Sequence, residues 1–294
     1  MTTTEPDRVA LHARDVAFDW AGLPLRWIPG ESFASHMLNV LHLLLPEGER
    51  WFVRVFSEAL PLIKDDQLRE DVLGFIGQEG MHAGAHQAVQ DYFTAQGLNT
   101  EKYVGELETI FRVLLGPRNL SGRRGEEWLV ERVALVAAVE HVTAFLGHWI
   151  LNSPGLDAAG ADPQMLDLLR WHGAEEVEHR AVAYEVYMHV DGRYLRRART
   201  YAVGATALCY LWARGVGALM ANDPTLLVPV KPRWRDLVRS ARKGLTPGYL
   251  DIVNCAWRYL QPGYHPRNEG STSQAVEYLA QSPAARAADD RASA

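Results

Sequence analysis

With 294 residues the chain is long enough for one large domain or two small ones, and 48% hydrophobic against 22% charged residues excludes a disordered or fibrous protein. A net charge of −6 with no evident basic stripe argues against nucleic acid as a partner. Cys209 and Cys255 form neither a disulfide framework nor a CxxC knuckle, and the polar N-terminus lacks the basic start and apolar core of a secretory signal, so a cytoplasmic protein is expected.

Strand-type alternation is nearly absent and helical periodicity dominates. Residues 1–30 read as an extended arm with turns. Residues 32–45 read as a short helix, and Pro46 as the first turn of a second one that stops before Pro61. Asp65 or Asp66 caps a long helix that ends at Gly97. The connection over 98–124 holds its own helical piece and suits a crossover between bundle halves. A third long helix covers about 125–151, and Asp162-Pro163 opens a fourth that runs to Asp191-Gly192. Further helices follow at 194–221, 232–243 and 246–260. The expected layout is an arm (1–30), a four-helix bundle (31–192), C-terminal helices packed on it (193–281) and a disordered tail (282–294).

Residues 200–221 form an apolar run broken only by Arg214. A spanning helix needs about 20 apolar residues, and an arginine inside one costs about 2.5–3.5 kcal/mol. The run therefore reads first as a buried bundle helix, next as a membrane-surface or substrate-entry helix, and only last as a span.

Four glutamates and two histidines occur in the order E, ExxH, E, ExxH: Glu49; Glu79 and His82; Glu140; Glu176 and His179. At about 100° per residue, Glu79, His82 and His86 share one helix face, as do His172, Glu176 and His179, with Glu175 on the flank and Glu178 farther round. Glu140 sits in an apolar run where a lone carboxylate demands a cation, and His141 is turned away from it. Glu49 lies on the stripe of Phe52, Val53 and Phe56 and is preferred to Glu47, which suits the first turn. Four inward carboxylates balance two divalent ions, and mixed carboxylate and imidazole donors suit iron or manganese better than structural zinc. His86 and His172 are left over. They are read as groups orienting the ligands, as ligands themselves, or, with Glu175 or His141, as part of a third metal site. Tyr184, five residues after His179, falls on the same face, and with Glu175 it is a candidate catalytic group.

The segments LLLPEGERWF, FIGQEGMHAGAH, AAVEHVTA, WHGAEEVEHRAVA and YLQPGYHP resemble a bacterial family labelled predicted metal-dependent hydrolase. The ligand order also resembles the ferritin-like di-iron carboxylate superfamily. That second resemblance implies an all-α, ferritin-like four-helix bundle with additional C-terminal helices and, by analogy, dioxygen chemistry.

Three functions are weighed. The leading expectation is a di-iron oxidase or oxygenase that uses O2 on an apolar small molecule or fatty chain. With no dinucleotide fingerprint or ferredoxin cysteine set, it would need an external electron donor. The alternative is a dinuclear hydrolase with Glu175 as general base, although such enzymes more often draw Asp and His from strand ends and loops. The third is a non-catalytic metal-binding helical protein. A homodimer, and a membrane-surface contact through 200–221, complete the expected partners.

Overall fold

Asp65 accepts the Leu68 amide at 2.8 Å, and Asp162 accepts the Gln164 and Met165 amides at 3.0 Å each. The two predicted caps thus open the two helices that carry most of the polar core. The computed structural model describes residues 9–293, which are all-helical with no strand among them. In chain order the helices are α1 (Ser32–Asn39), α2 (Leu41–Ala59), α3 (Asp66–Ala95), α4 (Glu101–Glu108), α5 (Arg123–Leu151), α6 (Pro154–Ala158) and α7 (Pro163–His179). They continue with α8 (Val182–Val190), α9 (Tyr194–Asn222), α10 (Trp234–Arg242), α11 (Tyr249–Tyr259), α12 (Thr272–Gln281) and α13 (Pro283–Ala292). Helix α2 packs on α3 and α5 packs on α7; the pairs meet through α2–α5 and through α3 with α7 and α8, which makes the four-helix bundle. The predicted stop at Gly97 follows the last residue of α3 by two, and its φ of +86° is one that glycine adopts without strain. The 98–124 connection carries α4 and a π-helical stretch, Thr109–Leu114.

Four expectations need correction. Pro46 lies inside α2 rather than at its start. The backbone stays helical through Val40, and burial of Leu43, Leu44 and Leu45 offsets the amide that proline removes. The fourth long helix breaks at Arg180 and Ala181, between α7 and α8. There the Arg180 guanidinium occupies the Val177 carbonyl, which a continuous helix would give to the residue 181 amide, and also bonds the Pro266 carbonyl at 3.2 Å. The tail is ordered through α13. Asp167 on α7 holds it, taking the Tyr278 hydroxyl at 2.9 Å and the Ala284 amide at 3.1 Å, with Ala285 and Ala288 buried beneath. Helix α9 packs against α5 and α1, but only 28% of its most apolar stretch is buried, so it is not a core helix. Residues 1–8 of the expected arm and residue 294 of the expected tail lie outside the described residues.

Two glycines set the α5–α7 spacing. A Cβ on Gly147 would stand 2.5 Å from the Gly173 carbonyl oxygen and 3.0 Å from the Glu176 Cβ. Overpacking of this kind costs about 1–3 kcal/mol, and each kcal/mol lowers Tm by about 2–4 °C in a chain of this size class. Gly147→Ala should therefore lower the midpoint by several degrees in a thermal melt and displace Glu176; an unchanged melt would show that the crossing tolerates a methyl group.

Candidate metal centre

The helical stripes converge in the middle of the bundle. Ligand atoms of Glu49 (α2), His82 (α3), His172 and Glu176 (α7) lie within 4.8 Å of one another, and so do those of Glu79 (α3), Glu140 (α5), Glu176 and His179 (α7). Glu176 belongs to both groups and joins them into one seven-residue cluster. All seven side chains are buried; His172, at 6% exposure, is the one nearest solvent.

Eight of the cluster's atoms are without hydrogen-bond partners: both oxygens of Glu49 and of Glu79, Oε2 of Glu140 and of Glu176, Nδ1 of His82 and Nε2 of His179. An unsatisfied buried polar group costs about 1–3 kcal/mol, and more when charged, so this many sharing one small volume fit cations between them. Electrostatics agree. Burial, reinforced by Glu176 and Glu140, pushes the Glu49 and Glu79 carboxyls well above the usual carboxylate range, and burial with Glu176 lifts Glu140 to about 7. Burial opposes charging His179, but Glu176 and Glu140 outweigh it and raise that imidazole to about 10. Its Nε2 stands 3.2, 3.3 and 3.5 Å from Glu79, Glu140 and Glu176, so the negative potential there holds a proton where a metal ion would otherwise sit.

Each ring that faces the cluster is steered from behind. His82 Nε2 bonds Glu175 Oε2 at 2.9 Å, leaving Nδ1 to point inward. His179 Nδ1 bonds Gln78 Oε1 at 3.0 Å, and the Gln78 amide donates to Glu178 at 3.2 Å. The two supports meet at Arg14, whose Nη1 donates to Glu175 at 2.6 Å and to Glu178 at 3.2 Å. Arg14 comes from the N-terminal arm, which lies against α3 where a Cβ on Gly74 would meet Leu11 at 2.6 Å and one on Gly77 would meet Ala13 at 3.2 Å. Those two helix glycines make room for the arm rather than for a ligand. A third support runs through imidazoles: His172 Nε2 faces Glu176 at 2.8 Å, its Nδ1 bonds His86 Nε2 at 2.8 Å, and His86 Nδ1 meets His42 Nδ1 at 2.7 Å.

Several predicted roles change accordingly. His172 stands with the ligating atoms, whereas His86 stands behind it, one hydrogen bond away. Both Glu175 oxygens are engaged, Oε1 by Arg14 and Trp171 and Oε2 by His82, so it orients a histidine and is not free to act as a base. Tyr184 is elsewhere: its hydroxyl donates to the Tyr264 carbonyl at 2.8 Å and accepts from Arg197 at 2.7 Å. The break after His179 resets the helical phase, so counting five residues onward no longer reaches the cluster. His141 bonds Tyr264 Oη at 2.6 Å and the Cys255 carbonyl at 2.8 Å. Among the described residues neither His141 nor Glu175 joins a group of ligating atoms, and the third metal site loses its donors. Glu47 pairs with Arg112 and Arg50, outside the cluster. Sequence reasoning missed His42, although it precedes Glu49 by seven residues, the spacing that also relates Glu79 to His86 and His172 to His179. No pattern marks Arg14, because nothing local ties an arm residue to α7.

Fold and site together define an all-helical protein with a buried carboxylate–histidine cluster able to hold metal ions. The chain belongs to the family described as predicted metal-dependent hydrolase, which matches residues 12–270. No curated protein and no solved structure matches the chain.

Two outcomes are expected. Removing a group that orients a metal ligand typically costs about 10–100-fold in metal affinity, so Arg14→Ala, which frees Glu175 and Glu178 together, should weaken metal binding by that order in a chelator competition titration. Metal uptake should also release protons, because the free-state carboxyls of Glu49, Glu79 and Glu140 are raised by burial and a cation requires them ionised. Affinity should therefore fall as pH drops through about 7 toward 5, read as proton release in a weakly buffered titration.

Proposed function

We propose that the seven clustered residues hold two divalent metal ions bridged by Glu176, and that the chain is a dinuclear metal-dependent hydrolase. The observation that carries the centre is the set of partnerless buried donors around the shared Glu176; the family description supports the hydrolytic reading. Four carboxylates, Glu49, Glu79, Glu140 and Glu176, match the charge of two divalent ions, while His82, His172 and His179 enter neutral. Such ions, when bound, polarise a substrate oxygen and bring a water's pKa down toward 7. The protein's own share is positional. Glu175 and Gln78 fix which nitrogen of His82 and of His179 faces inward, His86 does the same for His172, and the apolar bundle keeps bulk water from the carboxylates. With Glu175 engaged on both oxygens, proton transfer falls to the cluster carboxylates themselves.

The order E, ExxH, E, ExxH across four helices favours a second reading, in which iron or manganese ions use O2 to oxidise an apolar small molecule or fatty chain with electrons from an external donor. One experiment separates the two. The metal-free protein is loaded with Fe(II) without oxygen, metal per chain is measured, and O2 is admitted while visible absorption is followed; Zn- and Mn-loaded samples are assayed in parallel on ester, amide and phosphoester chromogens. Hydrolysis by metal-loaded protein that O2 leaves unchanged supports the first reading, whereas a rapid oxygen-dependent absorption change without hydrolysis supports the second. Glu176→Ala should bring loading from two metals to fewer than one and cut turnover by more than about 100-fold. Full loading of that variant would refute the bridging role.

A further inference from the structure

Helix α10 packs against α1 and α11 against α5, and the segment 227–257 carries an exposed surface that the metal centre does not use. Leu227 is 102% exposed, Leu250 70% and Trp257 65%, and Val228, Trp234 and Val253 are exposed with them. Trp234 at the start of α10 and Tyr249 at the start of α11 have ring centroids 6.2 Å apart, which brings the two helices together, and Leu250, Val253 and Trp257 follow on α11 at the spacing of one helix face, with Leu227 and Val228 on the chain leading into α10. Contiguous exposed apolar surface of this kind marks a contact site.

The charge beside it is opposite to that of the chain. Residues 231–243 hold six cations and one acid, Asp236, in a protein whose net charge is −6. Lys243 pairs with Glu31, but Lys231, Arg233, Arg235, Arg239 and Arg242 make no ion pair among the described residues. The whole-chain charge hid this run, and it corrects the expectation that no basic stripe exists.

We infer that this face, Leu227 to Trp257, docks on an anionic lipid surface, with Trp234, Leu250, Val253 and Trp257 entering the headgroup boundary and the α10 cations lying on the phosphates. Tryptophan at the polar–apolar boundary beside arginine and lysine is the composition such a surface selects. Two other occupants fit less well. A second copy across a two-fold axis would set the cation row against itself. Nucleic acid would satisfy the arginines but leave Leu227, Val228, Leu250 and Val253 without apolar partners. The proposed contact is on the α10–α11 side, apart from the one expected through 200–221. Arg214 of α9 is held by Glu106 and that helix packs along α5, so on this proposal the α10–α11 face rests on a bilayer and α9 does not cross it.

The test is co-sedimentation of the full chain with vesicles of phosphatidylcholine alone and of phosphatidylcholine mixed with phosphatidylglycerol. Binding is expected to the mixed vesicles, weakening as salt rises. The exposed pair Arg235→Glu with Arg239→Glu should weaken it by more than about tenfold. Trp257→Ser should weaken it at every salt concentration, with circular dichroism and the thermal midpoint unchanged in both variants. The proposal falls if neither vesicle binds the chain, if the charge reversals leave binding intact, if sedimentation equilibrium shows a dimer that Trp257→Ser dissociates, or if duplex DNA binds with the same salt dependence while vesicles do not.

Discussion

Four carboxylates buried in the centre of an apolar bundle are the constraint on which the rest of this structure depends. Water does not reach Glu49, Glu79, Glu140 and Glu176, and the bundle offers few positive groups to face them. Burial alone would keep carboxyls neutral; crowding raises Glu49 and Glu79 further, and the remaining negative potential is strong enough to hold a proton on the fully buried His179. A protein that needed only a stable core would fill this volume with aliphatic side chains, which well-packed interiors prefer to buried charge. The polar centre is therefore there for the ions it can bind, and the glycine crossing at Gly147 and Gly173 exists to bring Glu176 close enough to serve both halves of it.

Around the cluster lies a ring of groups whose function is orientation. Glu175, Gln78 and His86 each fix one imidazole, and Arg14 ties the first two supports together through Glu175 and Glu178. That ring couples the centre to the N-terminal arm, since Arg14 is held only as long as the arm lies in the shallow track over Gly74 and Gly77. The C-terminal segment plays a matching part at the other end. Arg180 draws the 266–272 stretch onto the break after His179, and Asp167 anchors α13 against the same helix. Both chain ends thus close over the helix that supplies His172, Glu176 and His179.

Family membership and geometry bear on different parts of the functional question. The family description names a reaction class and a dependence on metal. The geometry speaks for the centre and its charge, and says which residues are free to act. It removes Glu175 as a base, because a carboxylate bonded on both oxygens to an arginine, an indole and an imidazole has no remaining task at a substrate. It removes Tyr184 because the helix carrying it has changed phase. What remains for chemistry is the cluster itself, of which His172 is the member nearest solvent.

Local rules reached far along this chain. The caps at Asp65 and Asp162, the stop at Gly97, the all-helical class and six of the seven clustered residues follow from spacing alone, because a stripe of acids and imidazoles at helical period has few uses outside a polar core. The sequence also placed His172 on the right stripe. It could not say whether His172 or His86 faces the centre, since one helical turn separates them from their neighbours and only the packing of α3 on α7 decides which ring fills the gap. The errors share one cause. Pro46, the break after His179 and the ordering of α13 are each settled by tertiary packing: burial of the leucines beside Pro46, the Arg180 bonds to residue 266 and beyond, and Asp167. Arg14 belongs with them, because a lone arginine in an extended arm carries no periodicity, and only the fold brings it across about 160 residues of chain to Glu175 and Glu178.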